Sequence, residues 1–295
     1  MNKEFASRIK RFDELEYRDD YMFGKVMEDM NLCHDVLECL LQCPVGELRE
    51  VRTQREFKYT TDGKPIKIDI YSEDDKSVFD AEMQNLNHHS IESLNLPKRS
   101  RFYQAAMDID HLNKSEDYSF LPDNIVLFIC TFDPFGMGLG QYTFRNRCDE
   151  ANALLLNDNT VKYFYNCTYK GSDISEELRK FYEYVMDGKA ESELTRKIDG
   201  AVGNVRLNNE WRSSYMKERA LFMDLRREGR EEGRELLVIT NVCKKLLKGK
   251  SIPQIADELE EDEEHIKTIC DIAAKYAPGY DTEKILEEVF DLAEE

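Results

Sequence analysis

The residues whose types and spacing could do chemistry lie between positions 67 and 84. Lys67-Ile-Asp-Ile-Tyr71 is followed by Ser72-Glu-Asp-Asp-Lys-Ser77 and then by Val78-Phe-Asp-Ala-Glu-Met-Gln84. Both outer pieces alternate apolar and polar residues, the period of a half-buried strand. The polar stretch between them reads as a tight turn centred between Asp75 and Lys76, which sets Asp69 opposite Glu82 and Lys67 opposite Gln84. Directly opposed side chains on one face have Cβ atoms about 4.5–5.5 Å apart. The alternation checks this register: Ile66, Ile68, Ile70, Phe79, Ala81 and Met83 fall together on the other face, ready to pack on a core. Asp69, Glu82 and Gln84 then share a face. Two carboxylates this close repel and raise one pKa unless a cation lies between them. They also offer hard oxygen donors to a divalent ion. Such an ion polarises a phosphoryl oxygen and lowers the pKa of bound water, and phosphodiester cleavage uses both effects. Gln84 can orient the attacking water or a phosphate oxygen. Polar residues alternate on most half-exposed strands, so the same pattern also describes an ordinary solvated hairpin, although a mid-strand Asp facing a Glu is mildly costly without a ligand.

The elements around this hairpin must position it. Residues 17–43 read as one helix, stopped by Pro44 and Gly46. Residues 47–59 read as a strand, Thr61-Asp-Gly-Lys-Pro65 as a turn, and 66–71 and 78–84 as the hairpin strands. A helix fits 91–113, with Leu94, Tyr103, Ala106 and Ile109 facing inward. The continuous apolar run Ile125-Val-Leu-Phe-Ile-Cys130 is that of a strand buried on both faces. Shorter strands are expected near 141–146 and 161–165, then helices from about 175. This order predicts an α/β fold, a mixed sheet with helices packed on it.

Composition narrows the function classes. The chain has 295 residues, with 41 Lys+Arg against 60 Asp+Glu and a formal charge of −19. That balance argues against a basic coat, while leaving room for a local basic groove. No apolar run reaches transmembrane length, and the start Met1-Asn-Lys-Glu-Phe5 has no apolar signal core, so a cytoplasmic protein is expected. The eight cysteines form no Cys-x-x-Cys pair and read as buried, reduced thiols. No Gly-x-Ser-x-Gly, no His-Glu-x-x-His and no phosphate-binding Gly-rich loop is present. His88 and His89 follow the second hairpin strand, but nothing in the sequence places them beside the carboxylates.

Asp69, a turn, and then Glu82-Met-Gln84 together resemble the catalytic core of the PD-(D/E)XK nuclease superfamily. The likeness is closest to the bacterial recombination-promoting nuclease family, which also carries a transposase label. It extends to Arg18-Asp-Asp-Tyr-Met-Phe-Gly-Lys25, to Arg99-x-x-x-Tyr103, to Lys114–Tyr118, and to Glu210-Trp-Arg-x-x-Tyr-Met216 with the Glu-Gly-Arg repeats after it. It thus covers roughly residues 17–235. The resemblance implies a restriction-endonuclease-like fold and metal-dependent DNA cleavage. It makes Asp69 and Glu82 ligands of Mg²⁺, or of Mn²⁺ or Ca²⁺. It puts Gln84 where the superfamily usually has a lysine, and implies an acid on the first helix. Asp20 is the candidate for that acid, with Asp19 equally legible and a helix-start role open to both. Lys67 is expected to make up in part for the missing lysine. Arg99, in the basic segment Pro97-Lys-Arg-Ser-Arg-Phe-Tyr103, suits phosphate oxygens, and Tyr103 lies one helical turn further on the same face.

Three segments are expected: a nuclease-like domain over 1–205, a helical linker or assembly region over 206–250, and a small helix–turn–helix-like tail over 251–295. In the tail, a second helix opening at Glu261-Asp-Glu-Glu264 would repel phosphates, which favours assembly over DNA reading. DNA and a second copy of the chain, joined through the C-terminal helices, are the expected partners. The competing expectation is a catalytically inactive scaffold that binds a protein. A transposase proper ranks last, because no basic DNA-reading domain is visible.

Overall fold

The computed structural model describes residues 10–57, 66–85, 91–112 and 115–294. The expected turn at 61–65, His88, His89 and Lys114 lie outside them. The chain divides into two compact units, Met1–Tyr215 and Met216–Glu295.

The first unit contains, in order, α1 (Asp20–Met27), α2 (Met30–Leu41), β1 (Glu50–Phe57), β2 (Ile66–Glu73), β3 (Ser77–Gln84), α3 (Ile91–Leu94), α4 (Leu96–His111), β4 (Asp123–Cys130), β5 (Gln141–Phe144), β6 (Thr160–Asn166), α5 (Glu176–Asp187) and α6 (Glu193–Leu207). The next helix, α7 (Asn209–Leu246), begins here and supplies the second unit from Met216 onward, followed by α8 (Ile252–Leu259), α9 (Glu263–Ala273) and α10 (Thr282–Glu294). The sheet has six strands in the order β1-β2-β3-β4-β6-β5. β1, β2 and β3 pair antiparallel, β3, β4 and β6 pair parallel, and β5 closes one edge antiparallel to β6. The protein is therefore α/β, with a mixed sheet flanked by helices and helices at its C-terminal end.

The apolar run of β4 behaves as its composition dictates. Leu127 and Ile129 are buried in a layer with Val36, Phe181 and Ile198 of α2, α5 and α6. Val126, Phe128 and Cys130 are buried in the opposite layer, with Tyr103 and Met107 of α4. Two full layers leave β4 no wet face, which is why it lacks polar alternation. The tail forms its own core, where Val238, Ile239 and Val242 of α7 meet Ile255, Ile266, Ile269 and Ile285. The region expected as a linker is thus shared between the two units rather than standing apart, because the last turns of α7 carry an apolar stripe of their own.

Three local expectations need correction. The helix expected over 17–43 is two helices, because the Asp29 side chain accepts from the Asn31 and Leu32 N–H groups and starts α2 afresh. Ile109 is 59% exposed, since over those turns α4 turns Tyr103, Gln104, Ala106 and Met107 inward instead. The hairpin's apolar residues do not share one face. Ile70, Phe79, Ala81 and Met83 pack with α1 and α2, whereas Ile66 and Ile68 pack in the layer of α4. The cause lies at Gln54 and Asp69. The β1–β2 ladder skips this pair, and Gln54 adopts a left-handed φ of 52°. The regular alternation of β2 is broken at the residue expected to do chemistry.

The cap gives a direct check. Asp29→Ala is expected to destabilise the first unit by about 1 kcal/mol, the usual cost of a lost N-cap. Urea unfolding measures this, and an unchanged midpoint would mean that packing alone separates α1 from α2.

Candidate functional site

The observed register of β2 and β3 pairs Ile70 with Ala81, Tyr71 with Asp80, Ser72 with Phe79 and Glu73 with Val78. This is the expected register, and it leads directly to Asp69 facing Glu82. At that point the ladder gives way to a side chain: the Asp69 N–H donates to Glu82 Oε1 at 2.9 Å. Glu82 is 1% exposed, because β3 is flanked by β2 and β4 and roofed by α4. Its other oxygen, Oε2, accepts from Arg99 Nη2 at 2.9 Å and from Gln84 Nε2 at 3.2 Å.

Arg99 reaches this point from the first turn of α4. Its guanidinium lies 5.7 Å from the ring centroid of Phe128, the β4 residue paired with Glu82, and 5.4 Å from that of Tyr103. Its Nη1 donates to Gln84 Oε1 at 2.9 Å, and its Nε and Nη2 donate to Tyr103 Oη at 3.1 and 2.9 Å. Arg99, Tyr103, Glu82 and Gln84 thus form one hydrogen-bonded network. Burial, with Glu82 alongside, raises the pKa of Tyr103 and keeps the phenol protonated.

Sequence reasoning missed one member. Asp80 is completely buried, and neither of its carboxylate oxygens has a hydrogen-bond partner among the described residues. The signal was present: Asp80, Glu82 and Gln84 follow at steps of two along one strand and so share its face. Burial, then the charge of Asp69, raises the Asp80 carboxyl well above its usual range. Burial, then Asp80, does the same to Glu82, with Arg99 opposing. Asp69, which is half-buried, is raised by burial, then by Glu82 and Asp20, with Arg99 and the Met83 N–H opposing. Three carboxylates therefore crowd round one guanidinium, and their excess charge calls for protons or a further cation.

The remaining expected residues divide. Asp20 opens α1, is exposed, and is close enough for its charge to act on Asp69. Asp19 instead accepts from the Glu16 N–H at 2.7 Å and pairs with Lys10 at 2.7 Å. The structure thus separates two acids that the sequence left equal. A bond from the Asn85 side chain to the Arg18 carbonyl ties the end of β3 to the start of α1. Lys67 is not brought to the cluster. It is exposed, pairs with Glu56 on β1, and lies between Ile66 and Ile68, which both face α4. The irregularity at Asp69 turns it away from Gln84, whose own strand partner is Cys130. A cavity of about 460 Å³ lies elsewhere, beside Gln42, Gly140, Asp173 and Ser175, and none of the cluster residues lines it.

The donors suit a hard divalent cation in kind: carboxylates, two of them buried and one orphaned. As the side chains stand, no group of three His, Cys, Asp or Glu is spaced to hold a metal among the described residues. No helix of the described residues is long and apolar enough to cross a membrane. Compared with known proteins, the chain matches no family model, no curated protein and no solved structure.

The charge excess has a measurable consequence. A carboxyl whose pKa is raised on folding adds stability at low pH, and that stability is lost as pH rises through the folded pKa. Asp80→Asn removes the charge at every pH. The variant is expected to be more stable than the parent at pH 8 in EDTA, by about 1–3 kcal/mol for one orphaned buried group. That advantage should shrink toward pH 5. Thermal unfolding at both pH values tests this, and an advantage independent of pH would show that Asp80 stays ionised in the folded parent at both, its pKa not raised by folding.

Proposed function

We propose that the chain is a divalent-metal-dependent phosphodiesterase that cleaves DNA, with its centre at the end of β3 and a restriction-endonuclease-like fold. The observation that carries this reading is the carboxylate cluster, with Asp80 and Glu82 buried, Asp69 beside them and a single guanidinium among them. Groups of like charge are rarely desolvated together without a ligand to balance them, and strongly perturbed carboxyls gather at functional sites. The ordered resemblance to the PD-(D/E)XK nucleases adds the substrate class.

In this reading Asp69 and Glu82 hold the cation, and Asp80 supplies the charge behind Glu82. Asp20 stands in reach as an outer acid. When bound, the cation supplies a Lewis acid for a phosphoryl oxygen and a more acidic water. The chain's own residues do the positioning. Gln84 carries an amide able to orient a water or a phosphate oxygen. Arg99, with its side chain 32% exposed, has a planar fork suited to a phosphate and sits where negative charge grows as the bond breaks. Tyr103 fixes that fork from behind. The helix-start segment around Arg99 also presents Lys98 and Arg101 to solvent, a local positive patch on an acidic chain.

One observation favours the competing reading of an inactive scaffold: Arg99 already balances the charge of Glu82 and hydrogen-bonds Gln84 without a metal. The two readings part on cleavage. Purified protein should nick and linearise supercoiled plasmid with Mg²⁺ or Mn²⁺ and not with EDTA. Asp69→Ala and Glu82→Ala should each reduce the rate by more than the roughly 10–100-fold that loss of an outer-shell partner costs. A folded protein that neither cleaves nor takes up Mg²⁺ or Mn²⁺ in calorimetry would establish the scaffold.

A further inference from the structure

From Met216 to Leu237, α7 has no buried residue. Helices in proteins draw most of their stability from packing of an apolar face rather than from propensity. This one nonetheless displays apolar side chains: Leu221 is 61% exposed, Phe222 54% and Leu225 57%. With about 100° between successive residues, Phe222, Leu225, Gly229 and Leu236 fall on one stripe. The charges divide on either side of it. Arg226, Arg230 and Arg234 recur at four-residue steps along one flank, and Glu228 and Glu232 along the other. Like charges four apart on a helix repel, so this segregation destabilises the helix alone. Among the described residues, no ion pair joins Arg226 or Arg230 to Glu228 or Glu232, while Arg234 pairs with Glu261 of its own unit. A side chain added at Gly229 or Gly233 would meet nothing within 4 Å, so no contact within the chain explains these glycines.

We propose that this face pairs with the same face of a second copy of the chain, the two helices running parallel. Charge decides both the partner and the direction. When two such stripes meet in parallel about a twofold axis, the arginine flank of each helix lies beside the glutamate flank of the other, at both seams. Run antiparallel, the same stripes set arginine against arginine and glutamate against glutamate. Flanking charges select orientation in this way in paired helices generally. Phe222 and Leu225 supply the apolar centre, and the bare backbone at Gly229 lets the helices close together. A partner of a different kind would need its own matching arginine and glutamate rows, whereas a second copy has them by construction.

The test uses the full chain, without metal or nucleic acid, so its outcome is independent of nuclease activity. Sedimentation equilibrium should show a reversible dimer. Arg226→Glu with Arg230→Glu, and separately Glu228→Arg with Glu232→Arg, should each weaken the dimer by more than about tenfold, because like charges then face each other at both seams. An equimolar mixture of the two variants should recover it. Direction is read by oxidative cross-linking of Glu218→Cys, which falls on the stripe itself in line with Leu236, and of Glu232→Cys, at its glutamate edge. Each should link to itself above the background of the parent's own cysteines. A monomer at all concentrations, or a dimer indifferent to both charge reversals, would overturn the proposal. So would cross-links that form only when the two cysteine variants are mixed, since these mean antiparallel helices.

Discussion

The first unit is organised around an imbalance of charge at the end of β3. Asp80 and Glu82 are buried between two neighbouring strands and under α4, where water cannot solvate them, and among the described residues one guanidinium, that of Arg99, bonds to the cluster. An unpartnered carboxylate in such a place works against folding. The surroundings are built to hold it there regardless. β4 contributes a strand buried on both faces that fixes β3 in register, and Phe128 gives Arg99 a flat surface to lie on. Tyr103 then locks the guanidinium from the far side. The sheet's rigidity is what permits the site's strain, and a looser fold would let the carboxylates turn out to solvent.

Much of this was legible in the sequence, and the reasons are specific. The hairpin register follows from two alternating runs and one short polar turn, so the approach of Asp69 to Glu82 needed no structure. The run from Ile125 to Cys130 announced its burial on both faces by having no polar alternation. What escaped were departures from regularity. The left-handed Gln54 and the break in the ladder at Asp69 send Ile66 and Ile68 to the layer of α4, and Lys67 goes with them to the outside. Nothing in the local sequence forces a positive φ at a glutamine. Asp80 was missed for a different reason. Alternation puts it on the face of Glu82 and Gln84, but a buried charged residue with no donor is the arrangement physical reasoning expects least. Such exceptions concentrate where a chain has a use for them.

The same logic separates Asp19 from Asp20. Both are short acids at a helix start, and local propensity favours either. The difference is tertiary: Lys10 and the Glu16 N–H engage Asp19, whereas the charge of Asp20 acts on Asp69. A sequence can nominate a pair of this kind, but only the packing of the preceding segment chooses between them.

Net charge and local charge pull in opposite directions here. A chain at −19 repels a polyanion at long range. Approach of a phosphate to the carboxylate cluster then depends on nearby positive groups. These are concentrated at the start of α4, where Lys98 and Arg101 are exposed beside Arg99 and the N-terminal end of the helix dipole adds its own partial charge. The second unit solves an analogous problem by separation. On α7 the arginines and glutamates are sorted to opposite flanks of one apolar stripe, a pattern that costs a solitary helix and that the proposed neighbour of identical sequence would relieve. In both units an electrostatic arrangement unfavourable for the isolated chain is retained; a bound cation would relieve the one at β3, and the proposed second helix would relieve the one at α7. The fold is stable around these two places; they mark where it is incomplete.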